Sequence, residues 1–209
     1  MAQQNIDPVL WGPSAWSLLH AISFHSSSSM DTIRELFEDL KILLPCTKCQ
    51  ASYTHHLEML PFPSRRESLF KWVYELHHRI NASLQTPSMI DTPPYPTVQK
   101  LWRGTSGIEK GKRESWRFLF FLAMMFPSIK NKTNSIDTKR NYQKALSDWL
   151  HEITKTLWNQ HPPQTSDLNS RTAFIKWLSQ QYRLQHENNA PPSYYLKRLS
   201  TKCSKTCKL

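Results

Sequence analysis

Glycine is scarce: Gly12, Gly104, Gly107 and Gly111 are the only four in 209 residues, where an average chain carries roughly 7%. A dinucleotide-binding βαβ unit needs a GxGxxG turn, and none occurs. The nearest approach to a phosphate loop has Ser106 where the first glycine belongs, so that chemistry is excluded too. Long apolar runs are also missing. The longest, Phe118–Phe126, falls far short of the ~20 residues a membrane helix requires. The opening MAQQNIDPVLWG lacks the basic-then-apolar order of a signal peptide, so the expectation is a soluble chain that is not secreted and does not engage a membrane. Cysteine is sparse as well. Four residues cannot staple so long a chain, but they fall in two close pairs, Cys46/Cys49 and Cys203/Cys207, which suits redox chemistry or metal binding.

Charge is plentiful but unevenly placed. Residues 1–103 hold nine lysines and arginines against nine acidic residues, so the whole excess of +11 lies in residues 104–209. That asymmetry suggests two units with different jobs. A basic field attracts acidic proteins, nucleic acid or anionic lipid without choosing among them, and an ordinary solvated basic surface explains it equally well.

Helical periodicity dominates and strand alternation is nearly absent, so the fold class expected is all-α. Gly12-Pro13 offers a helix entry with Trp16, Leu19, His20 and Phe24 on one face. Asp31 is placed to cap a second helix with an Ile33, Leu36, Phe37, Leu40, Leu43, Leu44 stripe. Pro45 ends it and opens a third, carrying Cys46, Cys49 and Tyr53. Ser64 and Glu67 form a capping-box pattern ahead of a fourth, which runs to about Leu84. Prolines make residues 86–96 a connector, with a short helix at 98–102 beyond it. GTSGIEKGK (104–112) reads as an interdomain joint, followed by helices near 114–126, 138–158 and 171–185. The division expected is 1–104, a basic helical domain 105–187 of unknown role, and a mobile tail 188–209.

Two residues between Cys46 and Cys49 on a helical first turn put the sulfurs within disulfide reach. The helix N-terminus and Lys48 favour the thiolate, the species that attacks disulfides. A zinc site completed by His55 and His56 is the rival reading, but only five residues separate Cys49 from His55. Joined to the basic half, that rival describes a nucleic-acid-binding protein with a structural zinc. Trp16 and His20 share one helix face, as do His77 and Asn81. Taken singly, such a histidine is more often a hydrogen-bonded core residue than a ligand. Two ring-bearing faces flanking a dithiol helix could line a slot for a large aromatic cofactor.

The order of these motifs resembles the Erv/ALR family of FAD-linked sulfhydryl oxidases over residues 8–104. Trp11-Gly12-Pro13-x-x-Trp16-x-x-Leu19-His20 comes first and Pro45-Cys46-x-x-Cys49-x-x-x-Tyr53 second. Leu76-His77-His78-x-Ile80-Asn81-x-x-Leu84 and Val98-x-x-x-Trp102-Arg103-Gly104 follow. The resemblance implies a four-helix bundle with a short fifth helix, usually a homodimer, holding FAD beside the CxxC. It implies Cys49 as the cysteine near the flavin and Cys46 as the one that incoming thiolates attack. Trp16, His20, Tyr53, His77, Asn81 and Trp102 match cofactor contacts, and Trp11, Gly12, His78 and Leu84 belong to the same motifs. Cys203-x-x-x-Cys207, set among Lys202, Lys205 and Lys208, resembles the family's mobile shuttle dithiol. Thiol-containing proteins would then be the substrates, and oxygen the acceptor, giving hydrogen peroxide. The added helical half is similar to members from large DNA viruses, which implies the cytoplasm of an infected cell or the virion; the mitochondrial intermembrane space is the alternative.

Overall fold

The computed structural model describes residues 6–83, 93–127, 136–187, 189 and 191. Among them are eight α-helices and no strand, as the periodicity requires: α1 (Pro8–His25), α2 (Met30–Leu43), α3 (Thr47–Met59), α4 (Leu69–Ser83), α5 (Tyr95–Trp102), α6 (Thr105–Met125), α7 (Ile136–Ile153) and α8 (Arg171–Gln185). A 3₁₀ turn, Arg66–Ser68, leads into α4, and α7 continues as a π turn through Trp158.

Several helix starts differ from those read in the sequence. The helix α1 begins a full turn before Gly12, because Asp7 accepts a hydrogen bond from the Val9 amide at 3.0 Å and Pro8 takes the first helical position. Pro13 therefore lies inside the helix. Ser29, not Asp31, caps α2, its hydroxyl accepting from the Thr32 amide at 3.1 Å. The Ser64/Glu67 capping box does not form; the turn starts at Arg65 without a side-chain cap, and Glu67 meets the Arg65 guanidinium instead.

The helix α1 is buried on two faces, and this organises the molecule. Trp16, His20 and Phe24 turn toward α4, where Phe24 and Phe70 meet edge to face at 5.0 Å. Trp11, Ser14, Leu18 and Ala21, spaced to share the other face, lie along α6, running antiparallel to it. Trp11 reaches Phe118, Ser14 donates to a Glu114 carboxylate oxygen at 2.9 Å, and Ala21 abuts Gly111. A Cβ on Gly111 would stand 2.5 Å from that of Ala21, and one on Gly107 would stand 2.3 Å from the Trp102 carbonyl oxygen. The glycines of the supposed joint are thus close-approach positions. Residues 105–112 are the first two turns of α6, not a linker.

The second half also grips α2. The Trp149 indole on α7 donates to the Leu36 carbonyl at 2.8 Å, and its ring meets Phe37. Ser28 donates to the buried Glu152 carboxylate at 2.6 Å. A further aromatic group, with Trp116 stacked on Trp158 at 3.8 Å and Tyr182 at its edge, joins α6, the π turn and α8. One apolar core runs from Trp11 to Tyr182. The apolar run Phe118–Phe126 contributes to it through the buried Phe118, Phe120, Phe121 and Phe126.

Candidate active site

The cysteine pair sits where the α2–α3 corner forces an extended residue. Cys46, with φ −158° and ψ 121°, is the N-cap of α3, and its sulfur accepts the Cys49 amide at 3.3 Å. Cys46 and Cys49 form a disulfide with Cα atoms 5.1 Å apart. Their exposures are unequal. Cys46 is only 2% exposed while Cys49 is half-buried. The chain's first described residue lies at this corner: the Ile6 amide donates to the Pro45 carbonyl at 2.8 Å, and the Trp11 indole donates to the Ile6 carbonyl at 3.0 Å.

The rings of α1, α4 and α5 converge. Trp16 stacks on His77 at 4.0 Å with an interplanar angle of 12°. His20 lies 5.3 Å from Phe70 and stacks on Trp102 at 5.6 Å. The His20 Nε2 and His77 Nδ1 atoms share a hydrogen bond of 3.3 Å. His20 is 4% exposed, and its Nδ1 is buried without a partner among the described residues. Whichever tautomer holds, that atom is left able to donate or accept. Burial drives the His20 pKa down to about 3, helped by the neighbouring His77 and by the Lys110 charge. Burial and His78 bring His77 down to about 4. Both imidazoles are neutral at physiological pH.

Four residues expected at a cofactor therefore do meet: Trp16, His20, His77 and Trp102. Others are placed elsewhere. The Tyr53 hydroxyl is committed to the Phe37 carbonyl at 3.0 Å in the core between α2 and α3, where burial holds its pKa well above the usual value. Trp11 packs on α6, and Gly12 has open space where a Cβ would point. His78 is exposed beside Tyr74, and Asn81 is half-buried on the last turn of α4. Leu84, Cys203 and Cys207 lie outside the described residues.

Sequence reasoning missed three members of the cluster. Phe70 carries no motif signal, since it reads as one more core aromatic. His25 donates from Nε2 to the Trp102 carbonyl at 3.0 Å, fixing the end of α5 against the last turn of α1. Lys110 sets its ammonium 5.1 Å from the centroid of the Trp102 ring, a cation–π contact from the segment that reads as a joint. The zinc reading finds no support in this arrangement: the cysteines bond each other, and among the described residues no three His, Cys, Asp or Glu side chains converge on a metal.

The lowered imidazole pKa values make stability depend on pH. The unfolded chain takes up protons on His20 and His77 near pH 6.5, whereas the folded chain resists until about pH 3 and 4. Between those limits the unfolded state binds more protons, so stability falls as pH falls. Thermal unfolding followed by circular dichroism should show this loss below pH 6.5. His20→Phe should flatten the loss by on the order of 2 kcal/mol between pH 7 and pH 4. Parallel wild-type and variant curves would refute the assignment.

The cysteine pair and the ring cluster both fall within a segment that matches a known family. The Erv1/Alr family pattern covers residues 13–103, which span α1 through α5. Over that segment the chain is similar to the Erv1/Alr family. A protein bearing the name FAD-linked sulfhydryl oxidase in Invertebrate iridescent virus 3 is 29% identical over 93 residues, 41% of this chain and 63% of that one. A similarly named protein of Acanthamoeba polyphaga mimivirus is 31% identical over 85 residues, 36% of this chain and 59% of its own length. One from Invertebrate iridescent virus 6 is 26% identical over 112 residues, 47% of this chain and 97% of its own. The chain thus spans about three-fifths of the first two relatives. No solved structure matches it significantly. The Erv1/Alr segment stops one residue short of Gly104, so α6, α7 and α8 lie beyond it. No described helix is long and apolar enough to cross a membrane.

Proposed function

We propose that this chain is an FAD-dependent sulfhydryl oxidase that makes disulfides in thiol-containing proteins. The observation that carries the reading is the Cys46–Cys49 disulfide at the head of α3, in the bundle that also gathers Trp16, His20, His77 and Trp102. These residues fit a flavin dinucleotide. Flat rings suit stacking by tryptophan and imidazole, and the orphaned His20 Nδ1 suits a polar edge of a bound heterocycle. When bound, FAD supplies a two-electron acceptor that passes electrons on to oxygen, giving hydrogen peroxide.

The chain's own part is thiol exchange and positioning. A substrate thiolate attacks the Cys46 sulfur, the Cys46–Cys49 bond breaks, and the electron pair leaves on Cys49. The α3 N-terminus lowers the cost of that thiolate. Since Cys46 is buried, entry of a thiolate requires a local opening at the α2–α3 corner. Lys48, next to the pair, adds positive charge. Cys203 and Cys207 act as the shuttle that collects electrons from larger substrates and hands them to Cys46 by exchange. The kinship with proteins of large DNA viruses favours the cytoplasm of an infected cell or the virion as the working place. A homodimer, as the family resemblance implies, must use surface other than the α1 and α2 faces that α6 and α7 cover, and exposed Val9, Met59 and Leu101 offer such surface.

The purified full chain should be yellow and hold FAD in stoichiometric amount. A colourless protein that refuses added FAD would end this reading. With the flavin in place, the double substitution Cys203→Ser/Cys207→Ser should slow oxidation of a reduced protein more than about tenfold while leaving dithiothreitol oxidation within about twofold. Equal loss on both substrates would remove the shuttle role.

A further inference from the structure

Lys110 lies outside the Erv1/Alr segment, on the second turn of α6, yet it closes the ring cluster. Its neighbours on that helix are paired: Lys112 with Glu109 at 2.9 Å, and Arg113 with Glu114 at 3.5 Å. Lys110 is half-buried, has the Trp102 ring for company, and makes no ion pair among the described residues. An ammonium set over an aromatic face with no anion beside it still has charge and N–H donors to offer a ligand. Beside it stand two uncharged imidazoles and the partnerless His20 Nδ1. The cluster therefore presents a positive charge and an unmet hydrogen-bonding atom, with no anion to balance them.

We propose that Lys110 binds the diphosphate of the dinucleotide, so that α6 completes the cofactor site from beyond the family segment. This rests on the FAD reading above. A diphosphate carries two negative charges that stacking rings cannot offset, and a lysine ammonium is a point charge suited to phosphate oxygens. The proposal gives the second half a chemical task as well as a packing one. It also explains why α6 starts so abruptly after Trp102: the tight approach at Gly107 brings the next turn, with Lys110, over the indole.

Calorimetric titration of the flavin-stripped full chain with FAD, ADP and riboflavin tests it. Riboflavin lacks phosphate, and ADP carries the diphosphate without the flavin. Lys110→Met should weaken FAD and ADP binding about tenfold or more and leave riboflavin within about twofold. Raising sodium chloride from about 0.05 to 0.5 M should weaken wild-type FAD binding more steeply than the variant's, because one charge contact is gone. Lys110→Arg should restore most of the affinity. Equal weakening of FAD and riboflavin would reduce Lys110 to a prop for Trp102, and unchanged FAD and ADP affinity would overturn the proposal. If the wild type binds neither flavin, the oxidase reading falls by itself, and the ADP comparison still decides whether Lys110 meets a diphosphate.

Discussion

Cys49→Ser should lower thiol-driven oxygen consumption by at least about a thousandfold while leaving bound flavin and thermal stability nearly unchanged. The size of the loss follows from chemistry, since a serine hydroxyl can neither close the disulfide with Cys46 nor leave as a stable anion at neutral pH. Stability should survive because Cys49 is half-buried at a helix start, and the swap removes little packing. Cys46→Ser should be equally inactive, but for a separable reason. It leaves Cys49 without its disulfide partner, so an alkylating reagent should label Cys49 in addition to whatever it labels at Cys203 and Cys207. An oxygen electrode with dithiothreitol as donor reads both variants. Substantial turnover by Cys49→Ser would mean that electrons enter elsewhere, and the role of the α3 corner would have to be given up.

The second large effect concerns the division of the chain. A fragment ending at residue 104 should fail to fold as a monomer. Removing α6 and α7 uncovers the faces of α1 and α2 that they cover, including Trp11 and Ala21 on α1 and Phe37 on α2, all buried in the full chain. Each large side chain returned to water costs about 1.5–3 kcal/mol, so even part of this set rivals the roughly 5–15 kcal/mol by which a domain is stable. The same interface can be probed by one residue. Gly111→Val would drive a branched side chain into Ala21 and should lower the stability of the whole molecule by about 1–3 kcal/mol or more. A well-dispersed NMR spectrum and cooperative melting from the 1–104 fragment would show that the halves stand alone.

Much of the architecture can be read from residue order. The α8 bounds, the apolar stripe of α2 and the helix opening at Cys46 follow from spacing and from prolines. The four rings that meet at the site follow from the sequence of motifs. The rest is hidden for physical reasons. Because α1 is buried on both sides, its apolar residues do not form the single stripe that reveals a neighbour, and nothing in 8–25 announces α6. Gly107 and Gly111 look like flexible linkage because glycine usually marks turns. Here each is small so that another element can come close. Lys110 is one cation among many in the basic half. Only the packing of α6 on α1 distinguishes it. Helix starts slipped where two cap formers competed, as Ser29 and Asp31 did, a choice that loop geometry makes.

The contact between Ile6 and Pro45 has a practical corollary. Because the Ile6 amide is held by the Pro45 carbonyl and the Ile6 carbonyl by the Trp11 indole, removing that amide by Ile6→Pro would loosen the corner that carries the cysteine pair.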